Sequence, residues 1–70
     1  MKTWQGTNPT NCDICACKIT NVFVDGKTSY GPWAIMCMSC HSNDSGKFGL
    51  GIAQKYVHNA VLNVWEKVLG

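Results

Sequence analysis

The sequence predicts a small α+β domain in which paired cysteines hold a β-hairpin together and a helix follows. One C-x-x-C pair lies at residues 12–15 and another at 37–40. The intervening residues 16–36 number 21, and this arrangement is typical of four thiolates around one tetrahedral zinc ion. Apolar side chains then recur at helical spacing over residues 53–69. The predicted fold is a metal-stapled zinc ribbon or treble-clef-like hairpin with two CxxC knuckles, plus a C-terminal amphipathic helix.

A chain of this length is expected to need a bound metal ion to stabilise its fold. With 70 residues the chain forms one domain, and below roughly 70–80 residues an apolar core rarely suffices alone. A structural zinc site contributes on the order of 10 kcal/mol in small zinc peptides. We therefore expect the metal to be a condition of folding. Residues 1–11, which are polar, are predicted to be a flexible lead-in, and residues 12–70 a single zinc-binding domain.

The stretch between the two cysteine pairs predicts a β-hairpin. Residues 18–24 alternate and are rich in β-branched and aromatic side chains, which favours a strand. Asp25-Gly26 is a favourable hairpin turn, and residues 27–30 would form the returning strand. After an interruption by proline, residues 33–36 form a short apolar strand that leads into the second knuckle.

The C-terminal third predicts a helix from about residue 53 to 69. Its apolar stripe falls at i, i+3, i+4, i+7, i+8, i+11, i+12 and i+15: Ala53, Tyr56, Val57, Ala60, Val61, Val64, Trp65 and Val68. Valine is a poor helix former, so packing would have to stabilise this helix. Phe48, Leu50 and Ile52 alternate as in a strand. If residues 49–56 form a third strand, the helix begins nearer Val57.

Six residues are candidates for binding the metal. Cys12, Cys15, Cys37 and Cys40 are the predicted ligands of one structural zinc, because four thiolates leave no open position for water. The alternatives are two disulfides or unligated thiols. Iron fits the same ligands, but the glycine and proline that usually surround rubredoxin knuckles are missing here. The fifth cysteine, Cys17, is a possible alternative ligand or a small buried side chain, and His41 is a possible alternative ligand or a solvated side chain.

Charge and cysteine usage predict a cytoplasmic protein. An odd number of cysteines argues against a disulfide framework, and neither an apolar signal region nor a membrane-spanning stretch is recognisable. The net charge is only +2 and there is no arginine, which disfavours sequence-specific nucleic-acid binding. A nucleic-acid-binding ribbon nevertheless remains an alternative. Its phosphate contacts would be Lys18, Lys27, Lys47 and Lys55.

The surplus apolar surface of the predicted helix suggests a protein partner, either another protein or a second copy of this chain. The candidate partner-binding residues are Trp65, Leu62, Val61 and His58. The remaining aromatic side chains are expected to form the core, with Trp33 as the strongest core candidate. No arrangement of carboxylates or nucleophiles indicates catalysis, so we expect a non-enzymatic binding module. A thiol-redox or metal-handling protein that uses Cys17 and the C-x-x-C pairs is a further alternative.

The central part of the chain also resembles small phage-encoded zinc-ribbon-like proteins of unassigned function. The resemblance covers residues 12–56: the first cysteine pair, Phe23-Val24-Asp25, the run Gly31-Pro32-Trp33-Ala34-Ile35-Met36-Cys37 with Cys40, Gly49-Leu50-Gly51 and Gln54-Lys55-Tyr56. It implies a phage accessory protein that works in the host cytoplasm. For such a protein we expect the partner to be a host enzyme or defence protein, which it would inhibit or redirect. The resemblance names no enzymatic activity, and it ends before the last helical stretch.

Overall fold

The computed structural model describes residues 2–70, which fold into a four-stranded antiparallel sheet with one short helix. The elements in chain order are β1 (Val22–Lys27), β2 (Trp33–Met36), α1 (Met38–Asp44), β3 (Ala53–Asn59) and β4 (Val64–Leu69). The strand order is β2-β1-β3-β4, and α1 packs against β1 and β2. The predicted small α+β class is confirmed. Within residues 2–70, no helix has the length and apolar character that crossing a membrane requires.

The first hairpin exists, but the predicted turn at Asp25-Gly26 is wrong. Strand β1 runs straight through both residues to Lys27. Gly26 is buried between neighbouring strands, where a Cβ atom would lie 3.0 Å from the Cβ atom of Ala53 and 3.1 Å from Cε of Met36. The sequence therefore uses this glycine for close packing inside the sheet and not for a turn.

The chain instead reverses over residues 28–32. The Thr28 backbone N–H and hydroxyl both donate to the Pro32 carbonyl oxygen, at 3.1 and 2.6 Å, and Gly31 takes a φ of +114°. Residues 27–30 are therefore mostly loop and not the predicted returning strand. The strand predicted at residues 33–36 is confirmed as β2.

The predicted C-terminal helix over residues 53–69 is wrong, because this stretch forms the hairpin of β3 and β4. The register pairs Ala53 with Gly26 and Tyr56 with Phe23, so Ala53 and Tyr56 point to opposite faces of the sheet, and both are buried. Because β3 has buried residues on both faces, its apolar side chains recur every three to four residues, a spacing that resembles that of a helix. The alternative prediction of a third strand over residues 49–56 correctly identifies a strand, but its bounds differ, because β3 begins at Ala53 and extends past Tyr56.

The loop between β3 and β4 is held by asparagine side chains. Oδ1 of Asn59 accepts the backbone N–H groups of Val61 and Leu62, at 3.0 and 3.1 Å. Asn63 has a φ of +54°, a conformation that asparagine tolerates better than most residues. These local contacts favour a turn over a continued helix at this point.

Aromatic side chains from four segments form the core on one face of the sheet. Phe23 stacks on Tyr56 at a ring-centroid distance of 5.1 Å, and Trp65 meets Phe23 edge-on at 4.9 Å. Trp4 packs edge-on against both Phe23 and Tyr56, and its backbone N–H donates to the Trp65 carbonyl oxygen on β4. Trp33, by contrast, is 46% exposed on the edge strand β2, so its assignment to the core is wrong.

Candidate metal centre

The first cysteine pair lies in a tight turn that precedes the sheet. The Ile14 N–H donates to Cys12 Sγ at 3.4 Å, and the Ala16 N–H donates to the Cys12 carbonyl oxygen at 2.9 Å. The turn closes when the Cys12 N–H donates to the carbonyl oxygen of Cys17 at 2.8 Å. Ala16 has a φ of +64°, so an alanine occupies a left-handed position that glycine would fill without strain. These bonds hold Cys12 and Cys15 on the same side of the turn.

The second cysteine pair is positioned by β2 and α1. Cys37 follows β2 directly and is the N-cap residue of α1, and Cys40 lies in the first turn of that helix. The His41 N–H donates to the Cys37 carbonyl oxygen at 3.1 Å, which is the first hydrogen bond of the helix. This helix was not predicted: the sequence from His41 onward reads as polar and turn-rich. Its seven residues are too few to show a clear apolar period.

The two pairs converge on one point. The sulfur atoms of Cys12, Cys15, Cys37 and Cys40 all lie within 4.8 Å of one another. Cys15 and Cys37 approach to 3.8 Å between sulfurs, and all the cysteines are free thiols, so neither predicted alternative disulfide is present. The fold thus gathers four thiols that can hold a metal ion, from segments separated by the whole first hairpin.

Asp13 fastens the first pair to the sheet. Its backbone N–H donates to the Ile35 carbonyl oxygen at 2.8 Å, and its Oδ2 accepts the Ile35 N–H at 2.9 Å. The turn therefore pairs with the outer edge of β2, two residues before Cys37. The sequence alone does not reveal this role of Asp13, since it depends on a partner 22 residues away.

The hydrogen bonds around the sulfur atoms shift the pKa values of the cysteines in different directions. The backbone N–H of Cys17, followed by the thiols of Cys17 and Cys40, lowers the pKa of Cys15 to about 6. The thiols of Cys15 and Cys37 raise the pKa of Cys17 to about 12, and the thiol of Cys37 together with burial raises the pKa of Cys40. Burial opposes ionisation of Cys12, but backbone hydrogen bonds from Cys15 and Cys37 outweigh it and lower its pKa. The pKa values of Cys12 and Cys15 therefore lie below that of an ordinary thiol, which favours their thiolate forms.

The two alternative ligands lie beside the four-thiol group and not in it. Cys17 faces Cys15 and Cys37 and is exposed, so the alternative that it is a small buried side chain is wrong. His41 is buried, and its Nε2 lies 2.9 Å from the Lys47 carbonyl oxygen. Because a carbonyl only accepts, we assign the proton to Nε2, which leaves Nδ1 buried without a hydrogen-bond partner. The ring packs on Phe48 at a centroid distance of 4.7 Å, so His41 is a buried residue of α1 and the predicted solvated side chain is wrong.

The candidate partner-binding residues separate into two environments. Val61 and Leu62 are 93% and 63% exposed in the β3–β4 loop. Trp65 is only 7% exposed and belongs to the aromatic core, where its Nε1 donates to Oδ1 of Asn8. His58, half-buried, pairs with Trp65 across the hairpin at a ring-centroid distance of 5.0 Å. The loop residues alone are therefore presented to solvent.

The four candidate phosphate-binding lysines do not share one sheet face. Lys27 lies on β1 in register with Trp33, whereas Lys55 on β3 pairs with Val24. Since successive residues alternate, Lys27 and Lys55 point to opposite faces. Lys18 precedes β1, and Lys47 lies in the loop after α1; both are exposed.

Comparisons with protein-family models, with curated proteins and with solved structures find no match to this chain. The features that bear on its function are the convergence of the four thiols and the side chains exposed around them.

Proposed function

We propose that this protein is a non-enzymatic, zinc-stabilised binding module with a treble-clef-like metal centre. The observation that carries the proposal is the convergence of Cys12, Cys15, Cys37 and Cys40 from a turn and a helix N-terminus. A tetrahedral zinc ion with sulfurs at about 2.3 Å sets the sulfurs about 3.8 Å apart. The Cys15–Cys37 distance of 3.8 Å fits that spacing. Four thiolates fill the coordination sphere, so the zinc would be structural.

Native mass spectrometry of the purified protein tests the metal centre. We expect one zinc ion per chain, lost in Cys40→Ser and retained in Cys17→Ser, because Cys17 lies outside the four-thiol group. The measured mass and the visible absorption also separate zinc from iron, since ferric tetrathiolate is coloured and zinc is not. A Cys17→Ser variant that loses the ion, or a wild-type protein that is ordered without metal, would contradict the assignment.

The acidic side chains support a non-enzymatic role. Asp13 accepts the Ile35 N–H, and Asp44 accepts the Ser29 N–H with both carboxylate oxygens at 3.1 Å. Oε1 of Glu66 accepts Nδ2 of Asn59 at 3.2 Å. These three of the four acids therefore have positioning roles within the fold.

The surface that we assign to partner binding is the β3–β4 loop, in place of the helix that the sequence had suggested. Val61 and Leu62 project into solvent from a loop that Asn59 holds in shape, so a partner would meet apolar side chains that are already ordered. We propose a protein as the partner. If the resemblance to phage-encoded zinc-ribbon-like proteins reflects common origin, that partner is a host protein in the cytoplasm, which this chain would redirect or inhibit.

Matched substitutions test the loop. Leu62→Asp and Val61→Asp are expected to abolish co-purification of the partner, or self-association measured by sedimentation, without changing the thermal midpoint. Leu50→Asp is the control, because Leu50 is 80% exposed elsewhere on the chain. If all three variants bind equally well, the loop is not part of the interface. This outcome would not contradict the assignment of the metal centre.

A further inference from the structure

A small pocket lies beside the metal centre, between the first cysteine turn, the β1–β2 loop and α1. Its volume is about 220 Å³. The lining side chains are Ile14, Thr28, Tyr30, Met36, Cys40, Asn43 and Asp44. Pockets that hold drug-sized ligands or cofactors measure about 300–1,000 Å³. The volume here therefore suits a single long side chain better than a whole small molecule.

The walls of this pocket differ in character. Ile14 is 45% exposed and supplies apolar surface, and the cysteine turn places it there; Met36 borders the pocket but is fully buried. Tyr30 is 67% exposed, so its ring remains available to a ligand. Asp44 supplies negative charge, since both of its oxygens are occupied only by the neutral Ser29 N–H at 3.1 Å. Asp44 is also the last residue of α1, and the C-terminal end of a helix favours positive charge.

We propose that this pocket binds a long basic side chain, lysine or arginine, of a partner polypeptide. The methylene stem would lie against Ile14, the cationic end would pair with the Asp44 carboxylate, and the Tyr30 ring would add a cation–π contact. A carboxylate together with apolar and aromatic surface complements such a side chain and disfavours an acidic or short polar one. The inference deepens the proposed binding function, because it assigns the partner a basic residue, and it depends on the metal centre that holds Ile14 and Cys40 in place.

The experiment is an amide chemical-shift titration of the zinc-loaded, full-length protein with Nα-acetyl-lysinamide, Nα-acetyl-argininamide and the neutral Nα-acetyl-norleucinamide. We expect shifts at Ile14, Tyr30 and Asp44 with one or both basic compounds, and a dissociation constant of about 1–10 mM, since one side chain makes few contacts. The neutral compound should bind at least fivefold more weakly. The comparison of lysine with arginine identifies which basic side chain the pocket prefers.

Two variants make the test specific. Asp44→Asn keeps an oxygen acceptor for Ser29 but removes the charge, and Tyr30→Ala removes an exposed ring; each should weaken binding at least threefold. Asp25→Asn, an equal loss of charge outside the pocket, should leave binding unchanged. Undiminished binding by Asp44→Asn, equal binding of the norleucine compound, or no shifts up to 50 mM would overturn the proposal. Because native mass spectrometry reports the zinc separately, failure of the pocket is distinguishable from failure of the metal centre.

Discussion

The left-handed backbone of Ala16 gives the sharpest quantitative prediction. Ala16 has a φ of +64°, and its conformation lets the N–H of the next residue, Cys17, reach Cys15. An alanine in this region is disfavoured by roughly 1–2 kcal/mol, whereas glycine adopts it freely. We therefore predict that Ala16→Gly stabilises the zinc-loaded protein.

The size of the effect follows from two opposing terms. Relief of the strain contributes roughly 1–2 kcal/mol, and the greater freedom of glycine in the unfolded chain costs roughly 0.5–1 kcal/mol. The expected net gain is about 0.5–1 kcal/mol in the free energy of unfolding. For a domain of this size, each 1 kcal/mol shifts the thermal midpoint by about 4–8 °C. The midpoint should therefore rise by about 2–8 °C.

The assay is thermal and denaturant unfolding of both proteins at one fixed concentration of free zinc, since bound metal shifts the apparent stability. Ala34→Gly is the matched control. Ala34 lies in β2 with a φ outside the left-handed region, so the same substitution there should destabilise. If Ala16→Gly lowers the midpoint as much as Ala34→Gly does, the strain at Ala16 is not real and the geometry assigned to the first cysteine turn is wrong.

Two further substitutions examine other parts of the structure. Asp13→Ala removes the carboxylate that accepts the Ile35 N–H, so it should lower the free energy of unfolding by about 1–2 kcal/mol and accelerate transfer of zinc to a chelator. Asp13→Asn retains an acceptor and should behave nearly as wild type. Equal transfer rates for the two variants would exclude this role of Asp13. Burial raises the pKa of Asp25 in the folded state, so the folded protein holds that proton more tightly and loses stability as the pH rises from the ordinary aspartate pKa through the raised value. Asp25→Asn should therefore raise the thermal midpoint at pH 7, and the difference from wild type should vanish below the ordinary aspartate pKa.

The cysteine cluster was predictable because its signal is local. Each C-x-x-C pair places its two sulfurs by short-range geometry, so the spacing alone identified the four thiols that the structure brings together. The neighbours of those thiols were not predictable in the same way. The roles of Asp13 and Asp44 depend on backbone groups of Ile35 and Ser29, which only the tertiary fold brings close.

The wrong prediction of a C-terminal helix has a physical origin in the two buried faces of the interior strand β3. Strand β3 packs one buried residue, Ala53, against Gly26 on one face and another, Tyr56, against Phe23 on the other, so its pattern is not a simple alternation. A register shift between Lys55 and Tyr56 in the pairing with β4 disturbs the period further. The intrinsic preference of valine, tyrosine and tryptophan for strands was the better guide here than periodicity.

The separation of 21 residues between the cysteine pairs is slightly longer than the usual 15–20, and the sheet explains why. Strand β1 pairs with β3 as far as Gly26 and with β2 as far as Lys27, and the chain then needs the loop over residues 28–32 before it returns through β2 to Cys37. The length of the central strand therefore determines where the second pair lies relative to the first. Shortening that loop would shift the register of β2 against β1 and move Ile35 away from Asp13, so the metal centre and the sheet cannot vary independently.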